Sequence, residues 1–356
     1  MLPYFILFLL PAFAALTSSP NMRFRADGSR AVRVDAAWVL VFVALTIIIG
    51  FRYDVGGDWS NYFRYLISAA NLDFRDLADL QDPGYWAFNI LSVRLGLGMT
   101  GVNLLGALLF SAGLVFFCRR MPRPWLALAS AVPYLVIVVA MGYTRQGIAI
   151  GLAMIGLMML SRKKFVSFAI WVLLGALFHK SAVLLIPIAG LTVSNNRFLT
   201  IGLITAATFL GYFVLLQDQA AGLISVYTDE TIESAGALIR LAMNFVPAAL
   251  FLLYRQRFRL SQGEMHLWTI LSLIAVAMFL AFFLTSLSTA LDRMGLYIIP
   301  LQMVVFSHLP DVLGRHGKRN QSIVALILLY YAAVIFVWLV FANHSHRWIP
   351  YQIGLS

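Results

Sequence analysis

Charge is scarce in this chain. Asp, Glu, Lys and Arg together make up 12% of its 356 residues, about half the share of a soluble domain. Cysteine is almost absent: Cys118 stands alone, which excludes an intrachain disulfide and a thiolate metal site and leaves a small apolar filler beside a basic loop. No His-Glu-x-x-His, Walker or EF-hand pattern occurs, and no Asp-x-Asp motif is present, Asp54 and Asp58 standing four residues apart. No metal and no cofactor are expected. No basic region precedes the first apolar run, Leu2 to Leu16, so it reads as a retained helix, not a signal peptide. No soluble domain and no internal repeat emerge, and the chain reads as one transmembrane domain over residues 1–356.

The bulk of the chain is apolar: 61% hydrophobic residues and a mean hydropathy of +0.86. The sequence is that of an all-α, polytopic membrane protein, because backbone groups in hydrocarbon must pair within their own segment and a barrel would show short alternating strands. Apolar runs fall at about 2–16, 36–51, 101–118, 125–141, 146–160, 165–178, 180–194, 198–216, 237–254, 266–284, 294–308 and 321–342. They predict roughly twelve crossings, several short enough to tilt or break. Alternate loops carry Arg23–Arg33, Arg119–Arg123, Arg162–Lys164, Arg197, Arg255–Arg259 and Arg315–Arg319. The positive-inside rule makes these cytoplasmic and puts both termini outside. The net charge of +11 follows from that topology and from attraction to anionic lipid. No basic groove with stacking aromatics suggests nucleic acid. Segment 85–96 is apolar, yet a crossing there would invert the basic loops, so a re-entrant or interfacial outer helix is expected. The outer loops are 52–84 and 217–236, the second holding Asp218, Asp229, Glu230 and Glu233.

With this topology the unusual polar residues share the outer side: Arg52, Asp54, Asp58 and Tyr62, then Asp82, Arg145, His179, Arg293 and Tyr297. Charge at membrane depth is costly and marks function by default. Each residue has a plainer reading beside it. Arg52 snorkels or pairs with its neighbouring acids; Asp54 and Asp58, at i and i+4, share a face if helical; Arg293 pairs with Asp292. Gly147 and Gly151 after Arg145 form a GxxxG pattern suited to close helix contact. Arg293 and Tyr297 are also i, i+4 and should face one way. Three arginines, Arg52, Arg145 and Arg293, make a clamp for a diphosphate, since guanidinium forks bind phosphate oxygens in pairs.

The order Arg52-x-x-x-Gly56-x-Asp58-x-x-x-Tyr62, Asp82-x-Gly84-Tyr85, Arg145 at a helix start, His179-x-Ser181-Ala182, Arg293-x-x-x-Tyr297 and Pro350-Tyr351 resembles the EpsG family of Wzy-like exopolysaccharide and O-antigen polymerases. Asp82 stands where a glutamate would be expected. The resemblance spans about residues 45–351. It implies an enzyme of the bacterial inner membrane, active on the outer face, that joins glycan repeat units carried on undecaprenyl diphosphate and releases that lipid. It also implies a flippase and a chain-length regulator as pathway partners, beside membrane lipid itself. In that reaction Arg145, Arg293 and Arg52 bind the diphosphate, and Asp58 or His179 takes the acceptor proton. Tyr62, Tyr85 and Tyr297 contact the glycan. Trp59, Trp86, Tyr62 and Tyr85 serve equally as interfacial anchors. A lipid-linked glycan flippase and an O-antigen ligase are the alternatives. Neither internal repeats with broken helices nor a large outer loop supports them.

The topology is testable by side: single cysteines at positions 58, 179 and 293 should react with an impermeant thiol reagent applied from outside. Labelling confined to inverted vesicles would reverse the assignment.

Overall fold

The computed structural model describes residues 1–21, 35–193, 236–285 and 288–354. Run 198–216 and outer loop 217–236 lie outside these residues, apart from Gly236. The described chain is helical, as hydrocarbon demands, with one isolated backbone bridge between Arg52 and Ile353. Its helices are α1 (Leu2–Thr17), α2 (Ala36–Gly50), α3 (Trp59–Ala69), α4 (Pro83–Arg94), α5 (Gly98–Cys118), α6 (Pro124–Ala131) and α7 (Thr144–Leu160). They continue with α8 (Phe165–Ala176), α9 (Ile186–Val193), α10 (Ala237–Tyr254), α11 (Gln262–Leu284), α12 (Ser288–Gly295), α13 (Ile299–Leu313) and α14 (Gln321–Phe341). Helix α6 runs on into a π-helical stretch, Val132–Ala140, and tight 3₁₀ turns occupy Phe74–Asp79, Lys180–Leu185 and Leu296–Ile298.

Among the described residues, five helical segments are long and apolar enough to cross a membrane: Gly98–Cys118, Ala237–Arg257, Gln262–Leu284, Ser288–Leu313 and Gln321–Phe341. The other described apolar runs fall on shorter helices of 10–17 residues. The spans differ in their surroundings. The most apolar window of Ser288–Leu313 is 89% buried in protein, whereas those of Gln262–Leu284 and Gln321–Phe341 are 33% buried. Helices α12–α13, with α5 and α7, therefore form the centre, and α11 and α14 turn Leu280, Phe283, Leu326 and Leu329 outward. An apolar outer face has no water to avoid when lipid covers it. The centre closes through small residues. A Cβ on Gly113 of α5 would fall on the carbonyl of Gly151 in α7, and one on Gly151 would lie 2.8 Å from Phe110 Cα. Gly147 packs instead on Ala140 of the π-helical stretch. The expected GxxxG pattern is thus split between two neighbours, because α7 is enclosed on all sides.

Segment 85–96 proves to be α4, 12 residues and about 18 Å long, too short for a hydrocarbon core of about 30 Å. Segment 52–84 carries α3 and a 3₁₀ turn as well as loop. Asp54 precedes α3, exposed and in a left-handed turn with φ +48°, so Asp54 and Asp58 share no helix face. Arg293 and Tyr297 diverge too. Helix α12 ends at Gly295, and the tighter 3₁₀ turn carries Tyr297 into the core while Arg293 stays exposed.

Helix α7 sets the two ends of the bundle apart: Arg145 lies in its first turn and Arg162–Lys164 follow its last. At the basic end Arg123 is buried against Asp311, with Nη2 donating at 3.1 Å to the carboxylate and at 2.8 Å to the Lys318 carbonyl. Cys118 is fully buried beside that loop. At the other end the two chain termini meet: the Tyr4 hydroxyl donates to the Trp348 carbonyl at 2.6 Å.

Replacing Gly113 by Ala should force α5 and α7 apart and lower stability by about 1–3 kcal/mol. A fall in the melting temperature of the detergent-solubilised protein checks this, and an unchanged value would contradict the close contact.

Candidate functional site

The site end of the bundle is built from one buried arginine outward. Arg52, 1% exposed, donates from Nε to the Met141 carbonyl at 3.0 Å, from Nη2 to Thr144 Oγ1 at 2.7 Å, and from Nη1 to the Ile49 carbonyl. It fastens the end of α2 to the turn Met141–Thr144 that opens α7. The C-terminal segment straps the same place. Tyr53 N–H donates to the Gln352 carbonyl at 3.0 Å and Gly354 N–H to the Phe51 carbonyl at 3.2 Å. Trp348 is buried, its Nε1 donating to the Ile137 carbonyl at 2.8 Å. Gly142 must be glycine here: a Cβ would lie 2.9 Å from Trp348 Cη2, with a second ring carbon closer still.

On this base Arg145 stands in a ring of tyrosines. Its guanidinium carbon lies 5.0, 5.9 and 6.0 Å from the ring centres of Tyr65, Tyr85 and Tyr62, cation–π range. Its Nη1 pairs with Asp82 Oδ2 at 2.8 Å. The other carboxylate oxygen, Oδ1, accepts the Lys180 N–H at 3.1 Å, while the Gly84 N–H donates to the Leu177 carbonyl at 2.7 Å. Helix α4 is thereby fixed against the end of α8 and the His179 turn. Burial raises the Asp82 carboxyl above its ordinary value, and the Arg145 charge works against that rise.

His179 caps the 3₁₀ turn: Nδ1 accepts the Ser181 N–H at 3.3 Å and meets Ser181 Oγ at 2.7 Å, which in turn meets the Tyr297 hydroxyl at 3.0 Å. A backbone N–H only donates, so Nδ1 carries the lone pair and Nε2 the proton. In this tautomer the second ring nitrogen of His179, Nε2, is a hydrogen-bond donor.

Asp58 is the N-cap residue of α3, yet its carboxylate caps nothing. Burial raises its pKa above the ordinary 3.8, and Arg145, Arg293 and Arg347 lie close enough for their charges to oppose that rise. Arg293 is exposed, and its side chain makes no hydrogen bond or ion pair among the described residues. Its helix is nevertheless pinned from three directions. Gln146 Nε2 donates to the Arg293 carbonyl at 2.8 Å, Arg240 pairs with Asp292 through 2.5 and 2.7 Å bonds, and Asn244 Nδ2 donates to the Gly295 carbonyl at 2.8 Å. Gln302 links Asn244 to Tyr331 behind them. Asp292, bound to Arg240, does not neutralise Arg293.

Asp58, Arg145 and Arg293 thus come together, with the His179 turn joined to Arg145 through Asp82, at the end of the bundle opposite the described basic loops. Arg52 does not join them as a ligand-facing cation: it is enclosed, held by backbone carbonyls and Thr144 rather than by Asp54 or Asp58. Tyr62, Tyr85 and Tyr297 are 3, 1 and 4% exposed. The first two wall in Arg145 and the third supports Ser181, so none offers an open ring to a sugar. Aromatic faces near Asp58 come instead from Trp59, half-buried against Tyr53 at 5.6 Å, and from exposed Tyr143. Arg347 went unseen in the sequence because nothing in Ser345–Pro350 shows that this tail folds back across the chain onto Gly56 and Gly57. The nearby sequence signals are Gly56-Gly57-Asp58 at its landing place and Pro350-Tyr351 beside it.

Fold and site together define an integral membrane protein with a cation-rich polar site at one end of a helical bundle. The chain belongs to the EpsG family, whose model matches residues 35–353, nearly its full length. No curated protein and no solved structure matches it.

Replacing Arg52 by Lys keeps the charge but cannot serve three divergent acceptors. R52K should lower stability by about 2 kcal/mol or more, seen as a reduced melting temperature in detergent. A fully stable R52K with impaired ligand binding would return Arg52 to the clamp.

Proposed function

We propose that this chain is a glycosyltransferase-type polymerase that joins undecaprenyl-diphosphate-linked oligosaccharide repeat units on the outer face of the bacterial inner membrane. The observation that carries this reading is the meeting of one uncapped carboxylate, Asp58, with arginines from separate helices at one end of an apolar bundle. Family membership supports polysaccharide synthesis in general. The chemistry of the residues supports the finer step. An acceptor hydroxyl attacks the anomeric carbon of the donor glycan, and the bond from that carbon to the diphosphate oxygen breaks. The bonding electrons leave on the diphosphate, and the hydroxyl proton goes to Asp58.

Asp58 is the better base of the two, because the lone pair of His179 Nδ1 is engaged by Ser181 and its Nε2–H donates. His179 then holds a sugar or phosphate oxygen. Arg145 and Arg293 take the negative charge that grows on the leaving diphosphate. Fixed cations in a partly dry site stabilise a charge-building transition state without having to reorganise. Arg145 is fixed by Asp82 and its tyrosines, Arg293 by the bonds on its helix. Trp59 and Tyr143 border the glycan. Pathway partners under this reading are a flippase that delivers the donor and a regulator of chain length. Cations gathered at one end, not strung through the bundle, favour transfer over transport.

In a deletion strain, R145A and R293A should leave single repeat units in place of long chains, seen by gel or size-exclusion analysis of surface glycan, with the protein still inserted. Long chains of normal length from both variants would refute the clamp. In vitro, D58N should be inactive. Because Asp58 acts ionised and its pKa is raised, the rate should climb with pH through a midpoint above the ordinary carboxylate value of 3.8.

A further inference from the structure

We propose that Arg347, on the C-terminal segment, is the third cation of the site and that this segment forms one wall of the diphosphate subsite. The inference rests on the polymerase reading and adds a residue to it. The segment is tied to the Asp58 loop by two bonds that bracket Gly56-Gly57. The Gly56 N–H donates to the Arg347 carbonyl at 2.9 Å, and Arg347 Nη1 donates to the Gly57 carbonyl at 2.7 Å. Gly57 is the residue before Asp58, so the guanidinium is held at the mouth of the same loop. The neighbouring residue immobilises its backbone, since Trp348 is buried and bonded through both its indole nitrogen and its carbonyl.

The guanidinium itself stays exposed. One of its five N–H groups serves Gly57, and the rest are available for a bidentate contact with phosphate oxygens. The local charges favour an anion there. Asp82 is matched by Arg145 and Asp292 by Arg240. Among the described residues Arg293 and Arg347 both act on Asp58 without an acid of their own bound to them, and Asp54 lies exposed before the loop. Arg52 cannot fill this place, since its fork is enclosed. Arg347 binds substrate directly in this assignment, and the fold reason is that the tail folds back onto Gly56-Gly57 beside Asp58.

Inorganic pyrophosphate is the probe, titrated calorimetrically into the full-length protein in detergent. R347Q, which retains a donor for the Gly57 carbonyl but no charge, should bind it roughly tenfold more weakly than wild type, and R347K should recover part of the loss. Phenylglyoxal modification of the wild-type protein, followed by peptide mass spectrometry, gives a variant-free readout. Pyrophosphate should protect Arg347 and leave Arg75, exposed outside the site, equally reactive. Wild-type binding with unchanged R347Q affinity, or with no protection of Arg347, overturns this proposal alone. No pyrophosphate binding by the wild type overturns the diphosphate clamp and this proposal with it.

Discussion

The end of the bundle that carries the site hangs on a single buried guanidinium. Arg52 has left water entirely, and a bare charge there would be very costly. It is tolerated because its planar fork reaches carbonyls of Ile49 and Met141 and the hydroxyl of Thr144 at once. Those acceptors belong to the end of α2 and to the turn that starts α7. The same contact therefore fixes Asp58, a few residues after Arg52, relative to Arg145, the residue after Thr144. An arginine that looks like a ligand-facing cation is the brace that sets Asp58 against Arg145.

The rest of the site is held by the same means. Its charged groups are tied in turn: Asp82 spans Arg145 and the His179 turn, and Arg240 holds Asp292 while Gln146 and Asn244 hold the backbone beside it. Each bond commits a polar group to orientation, and in a low-dielectric surrounding a satisfied network is stiff. Arg293 and Arg347 stay exposed beside Asp58. Preorganisation of this kind is required for charge stabilisation in a transition state.

The tail completes the design. Trp348 fills the gap between the π-helical stretch, Gly57 and Gly142, and Tyr4 from the first helix caps it. Both chain ends thus converge on the site end. Helix α1 and the last residues support a region to which their distance in sequence gives them no visible link.

By itself the sequence determined a helical membrane protein, its family and the basic end of the bundle, and it singled out Asp58, Arg145, His179 and Arg293 as candidates. The membrane class and the basic end rest on composition, hydropathic run length and charge alternation, and the family on the order of short motifs from Arg52 to Tyr351; all are local properties that a one-dimensional reading preserves. Tertiary structure alone decided which polar groups face inward. It turned Arg52 into a brace, made Tyr62 and Tyr85 the walls around Arg145, sent Tyr297 behind Ser181 and brought Arg347 to Asp58. It also broke two inferences from helical spacing, at Asp54–Asp58 and Arg293–Tyr297, where the helix begins late or tightens to a 3₁₀ turn. The physical reason is that a residue's type fixes what it is able to bond, whereas its burial and partners depend on segments hundreds of residues away that pack only once the bundle has closed.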